Sequence, residues 1–189
     1  MRVISGFAKG RKLKQVPGTG TRPITDRVKE NLLNLIQYDV PGARFLDLFA
    51  GTGSVGIEAL SRGAESALFI DNSRIACQIA RENLKHCQLE SNAQVLKIDA
   101  FAYLSRVPQQ AYDIIYIAPP QYHQLWKSTL LILDENSRWL AADGLAIVQI
   151  HPKEREELAL ENLVLIDERV YGSTALMFFT LAESIDDEE

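Results

Sequence analysis

Apolar positions divide the chain into short alternating blocks. Arg44–Phe49, Ala67–Ile70, Gln94–Ile98, Asp113–Ile117 and Gly144–Ile150 are compact runs of strand length. Between them lie Gly53–Arg62, Ser73–His86, Ala100–Val107 and a segment containing Leu125–Leu133, which read as helices. Such alternation predicts a parallel sheet covered by helices on both faces. The end of the chain departs from it. Leu163–Tyr171 and Ala175–Leu181 read as strands separated only by Gly172, Ser173 and Thr174. A link that short permits only an antiparallel pair, so one strand near the edge runs against its neighbours.

Two short strands, Arg2–Ser5 and Lys12–Gln15, are predicted ahead of this pattern, around Gly6 and Gly10. Pro17, Gly18 and Gly20 then break the chain. Thr25 or Asp26 can cap a helix running to about Gln37, with Val28, Leu32, Leu35 and Ile36 as its apolar face. Residues 1–182 therefore form one domain with a small N-terminal β extension over 1–24. Residues 183–189, ending in Asp186, Asp187, Glu188 and Glu189, are expected to be a disordered acidic tail.

The apolar content of 47% and charged content of 24% are those of a soluble globular domain. The first ten residues hold no apolar run of the signal-peptide kind, and no stretch approaches the length of a membrane helix. The expected location is the cytoplasm. Cys77 and Cys87 lie on different faces of one helix, which predicts free thiols rather than a disulfide or a metal clip. His86, His123 and His151 are scattered, and no metal site is expected. Trp126 and Trp139 are expected to be core residues. The charge is uneven. Against a net charge of −5, residues 1–30 carry Arg2, Lys9, Arg11, Lys12, Lys14, Arg22, Arg27 and Lys29 but only Asp26 and Glu30 as acids. A basic end on an acidic body fits a nucleic-acid partner, because Lys and Arg neutralise phosphates; it equally fits a plain solvated surface.

The first strand runs into Asp47-Leu48-Phe49-Ala50-Gly51-Thr52-Gly53-Ser54-Val55-Gly56, a glycine loop opening a helix. Asp71 ends the second strand, at the roughly 20-residue spacing of an acid that holds a ribose. Strand, turn, helix and acid in this order point to a nucleoside cofactor. Asp47 discriminates among such cofactors. A carboxylate there would repel a pyrophosphate but suits the positive charges of S-adenosylmethionine (SAM). Asp99-Ala100, ending the third strand, adds an acceptor for an adenine amino group. No His–acid or Tyr–Lys pair at the strand ends suggests the hydride transfer of an NAD-dependent oxidoreductase, the third reading of such a loop.

The fourth strand ends in Ala118-Pro119-Pro120-Gln121-Tyr122. Two prolines remove N–H donors and expose carbonyl oxygens at the mouth of the sheet, where ligands of open α/β sheets sit. This ending resembles amino-methyltransferases with an Asp/Asn-Pro-Pro-Tyr/Phe motif. Four further segments, Arg2–Gly6, Lys9-Gly10-Arg11, Thr21–Glu30 and Asp47–Gly53, with Tyr171–Ala175, resemble the RsmD family over about residues 1–182. The N-terminal block is the most specific part of this resemblance.

The resemblance implies a Rossmann-like class I methyltransferase with a seven-stranded, mostly parallel sheet. It implies methylation of the N2 amine of a guanine in small-subunit ribosomal RNA, free or in a partly assembled subunit, by a monomer. Asp47, Gly51 and Gly53 would then line the methionine part of SAM, Asp71 the ribose, and Asp99 with Ala100 the adenine. Arg2, Lys9, Arg11, Lys12, Arg22 and Thr25 would face RNA or the substrate entrance, and Arg22 could pair with the methionine carboxylate. Ala118, Pro119, Pro120 and Tyr122 would form the catalytic turn. This chain has Ala118 where the family has Asp or Asn, and Gln121 where it has the aromatic residue. An aromatic amine is a poor nucleophile and needs fixed acceptors for its N–H groups. Pro119's carbonyl remains, Tyr122 could stack on a flipped base, and Gln121 or His123 could supply an acceptor. Two alternatives stay open: a SAM- and RNA-binding protein without turnover, and adenine-N6 methylation of DNA.

Overall fold

The computed structural model describes residues 1–17 and 23–182. The expectations for Arg22 and for the acidic tail fall outside them. Within the described residues a single seven-stranded sheet forms in the order β3-β2-β1-β4-β5-β7-β6. Its strands are β1 (Arg44–Asp47), β2 (Ser66–Asp71), β3 (Ala93–Lys97), β4 (Tyr112–Ile117), β5 (Leu140–Ile150), β6 (Leu163–Tyr171) and β7 (Thr174–Leu181). β1 to β5 pair in parallel. β7 inserts antiparallel between β5 and β6. The helices are α1 (Asp26–Leu35), α2 (Ser54–Ser61), α3 (Arg74–Cys87), α4 (Ala100–Leu104) and α5 (Leu125–Glu135). Among the described residues no helix is long and apolar enough to cross a membrane.

Strand alternation sorts the core into two layers. Phe45, Phe69, Ile114, Tyr116, Ile147 and Phe178 face α1, α2 and the N-terminal extension. Leu46, Leu68, Ile115, Ala146 and Val148 face the other way, onto Leu104, Trp126, Leu130 and Leu133. Trp139 is buried there and donates its indole N–H to the Leu104 carbonyl at 2.9 Å. Both cysteines are buried free thiols.

Two expectations are corrected. The N-terminal strands reduce to one antiparallel bridge, Arg2↔Lys12. Val3 N–H donates to the Arg11 carbonyl, Gly10 N–H to the Val3 carbonyl and Leu13 N–H to the Met1 carbonyl, but other amides there find partners elsewhere. Ile4 and Ser5 N–H donate to the Glu58 carboxylate at 2.8 and 2.9 Å, Ala8 N–H to Ser61 Oγ, and Lys14 N–H to Asn83 Oδ1. Gly6 has φ +79°, and a Cβ there would meet the Ser61 carbonyl oxygen at 1.7 Å, so the extension lies flat on α2 only because this residue has no side chain. In α1, Thr25 caps by accepting from Val28 N–H, but Leu35 is exposed. The buried face centres on Leu32 and Ile36 and takes in Val28, Lys29 and Leu33, which leaves Leu35 at its margin.

Candidate active site

The chain passes from β1 outward to β2 and β3, then crosses back to β4. The sheet therefore reverses direction between β1 and β4, and ligands of such sheets bind outside the carboxyl ends at that switch point. A cavity of about 480 Å³ opens there. It is lined by Asp47, Gly51, Asp71, Asp99 and Ala100, together with Ile24, Phe49, Phe101, Ala118 and Pro120.

The three acids differ in state. Asp47 is 1% exposed, and its Oδ1 has no hydrogen-bond partner among the described residues. Burial, then the negative charge of Asp71, pushes its carboxyl up to about 7, against the opposing pull of the Phe49 and Gly56 amides. Asp71 shapes the loop: Oδ2 accepts from Gly51 N–H at 2.9 Å and Oδ1 from Ser73 N–H at 2.8 Å. Asp99 caps α4, accepting from Ala102 N–H at 3.0 Å. Gly53 is not in the wall. With φ +77° it turns the loop into α2, and its α-carbon faces Phe69, Ile57 and Ala80 in the core.

A second cavity of about 490 Å³ adjoins the first and shares Pro23, Ile24 and Gln149 with it. Thr25, Arg27, Asn31, Gln121 and the Tyr171–Thr174 hairpin line it. Arg27, Asn31 and Gln149 were not among the residues singled out from the sequence. Gln149 carried a readable signal, a polar residue between Val148 and Ile150 in a buried strand.

The turn expected to be catalytic is only partly at the cavities. Ala118 and Pro120 face the first cavity, while Pro119 is buried and lines neither. Tyr122 also lines neither. Its φ of +66° turns it outward, its N–H donates to Glu154 Oε1 at 2.7 Å, and its ring sits 5.6 Å from that of His151. Tyr122 is thus placed away from a base bound in either cavity, Gln121 lies in the second, and His123 is exposed. Arg2, Lys9, Arg11 and Lys12 line neither cavity. Arg2 contacts Asp26, and Arg11 donates to the His86 carbonyl and Gln88.

The residues present fit S-adenosylmethionine. An orphaned, buried carboxylate oxygen in the cavity wall suits a positive charge, and Asp71 and Asp99 bring two further carboxylates to the same cavity. Fold and site together define a class I methyltransferase. The chain belongs to the RsmD family, whose model, described as conserved hypothetical protein 95, matches residues 1–180. It is 41% identical to YlbH of Bacillus subtilis over 182 residues, 95% of this chain and 98% of that one. It is 34% identical to ribosomal RNA small subunit methyltransferase D of Escherichia coli K12, covering 95% of this chain and 89% of the relative. The solved structure of yhhF from Escherichia coli superposes with a TM-score of 0.84 at 34% identity, covering 96% and 97% of the two chains. An RNA methyltransferase from Salinibacter ruber, solved with S-adenosyl-L-homocysteine, shares the fold at a TM-score of 0.67 and 15% identity.

Proposed function

We propose that this protein transfers a methyl group from S-adenosylmethionine to the N2 amine of a guanine in small-subunit ribosomal RNA. The observation that carries the reading is the pair of adjoining cavities at the ends of β4 and β5. One is acidic and sized for a nucleoside; the other opens beside it, with Arg27 in its wall. Bound S-adenosylmethionine supplies an electrophilic methyl group. The protein's own part is to hold that cation against Asp47 and to aim a flipped base along the methyl–sulfur axis. Of the N-terminal extension, Gln15 and Val16 reach the wall of the first cavity, and the names of the relatives supply the expectation of ribosomal RNA. Action as a monomer in the cytoplasm is part of the same proposal.

The test is methyl transfer from labelled S-adenosylmethionine to unmodified small-subunit RNA and to partly assembled subunits, with product nucleosides identified. N2-methylguanine formed by the wild type and lost in Asp47→Ala is the expected result. N6-methyladenine formed on DNA in a parallel reaction would replace the base reading. A binding protein without turnover is the second reading, favoured by Ala118, which brings no hydrogen-bonding side chain to the cavity wall. Cofactor binding with no product on either substrate would establish it.

A further inference from the structure

The chemistry proposed above leaves one requirement unmet at the catalytic turn. The amine must be held by an acceptor as it becomes tetrahedral, and Ala118 has none to offer. The sheet places a replacement next to it. β4 and β5 pair through Tyr116↔Ile147 and Ile117↔Val148, so Ala118 and Gln149 continue from neighbouring strands one residue further on. They share the face that carries Tyr116. Gln149 is half-buried and is one of three residues common to both cavities, the others being Pro23 and Ile24.

Gln149 is also held in place. The buried Tyr116 hydroxyl donates to its Oε1 at 2.6 Å. That hydroxyl stays protonated, because burial and then the charge of Asp47 push its titration far upward. Among the described residues the hydroxyl makes no other hydrogen bond, and its donation to Oε1 holds the carboxamide in place. One lone pair of Oε1 remains free, and Nε2 has no partner among the described residues.

We propose that the Gln149 carboxamide, locked by Tyr116, replaces the missing acceptor at Ala118 and receives the hydrogen bond from the target amine. This rests on the methyltransferase reading above. In the step, the amine lone pair forms the new N–C bond as the methyl–sulfur bond breaks and its electrons return to sulfur. The amide takes no proton; the surplus proton on the methylated amine passes to water in the second cavity.

The test pairs Gln149→Leu with Tyr116→Phe, which removes both ends of the buried hydrogen bond and leaves neither unsatisfied. A melting curve checks folding, and titration with S-adenosylmethionine checks the cofactor site. The expected result is a kcat lower by on the order of a hundredfold with cofactor affinity unchanged, and partial recovery on adding Ala118→Asn. Wild-type kcat in the paired variant, a loss that tracks cofactor affinity, or no recovery with Ala118→Asn would each overturn the assignment. A wild-type protein that makes no methylated base would instead overturn the reading on which it rests.

Discussion

Asp47 concentrates the physics of the site in one side chain. Its carboxyl titrates near 7 because it is buried beside Asp71, so below that pH the ligand-free protein holds it largely neutral. A cation binds only the ionised form. Binding of S-adenosylmethionine should therefore release close to one proton at pH 6 and almost none at pH 8, and affinity should rise between them. Calorimetry in buffers of different ionisation enthalpy measures this. Stability has the opposite sign. A carboxyl raised above its unfolded value of about 4 contributes stability that is complete below that pH and lost as pH rises through about 7. Asp47→Asn should thus flatten the fall in melting temperature between pH 5 and pH 8 while abolishing cofactor binding. At this scale the sequence was readable where position follows a strand end, as at Asp47, Asp71 and Asp99, which line one cavity. It was unreadable where geometry decides. Nothing local announces that Tyr122 turns outward, or that Arg27 on a helix and Gln149 on a strand meet at one wall.

The elements are bolted together by buried charge. Lys29 on α1 is fully buried, 3.5 Å from Glu58 on α2, and donates to the Arg2 carbonyl at 2.7 Å. Glu58 in turn receives the amides of Ile4 and Ser5 and the Arg62 guanidinium. This web explains why the extension pairs with itself only around the Arg2↔Lys12 bridge and gives its other amides to α2 and α3. Lys29→Met should cost about 3 kcal/mol, since it removes one of the two cations paired with the buried Glu58 carboxylate and leaves the Arg2 carbonyl without its donor. Asp134 at the end of α5 plays a similar part. It accepts the amides of Glu161, Asn162 and Leu163 and so fixes where β6 begins. Asp134→Ala should cost on the order of 3 kcal/mol, and urea unfolding measures both variants. Helix and strand order was legible throughout, because period and turn chemistry are local. The partners of the basic extension were not, because Glu58 and Ser61 lie more than fifty residues away in the chain.

For the whole molecule, the balance of charge is more selective than its total. Much of the basic end is engaged internally: Arg2 with Asp26, Lys14 with Glu82, Arg11 with the end of α3. Lys9 and Lys12 are exposed, with no ion-pair partner among the described residues. Replacing both by Ala should weaken RNA binding without changing the base methylated, and should lower the slope of log affinity against log salt by about 1.4 to 1.8. The sheet itself was foreseen, down to the reversed strand, because a three-residue link leaves no other choice. That strand also has a kinetic consequence. β6 meets the sheet only through β7, which is made after it, so during synthesis β6 must wait beside an open β5 edge until the final strand slides between them. A chain stopped before Thr174 would not be a slightly shortened protein. It would carry an unpaired β5 and a homeless β6, two sticky edges that favour other chains over its own completion.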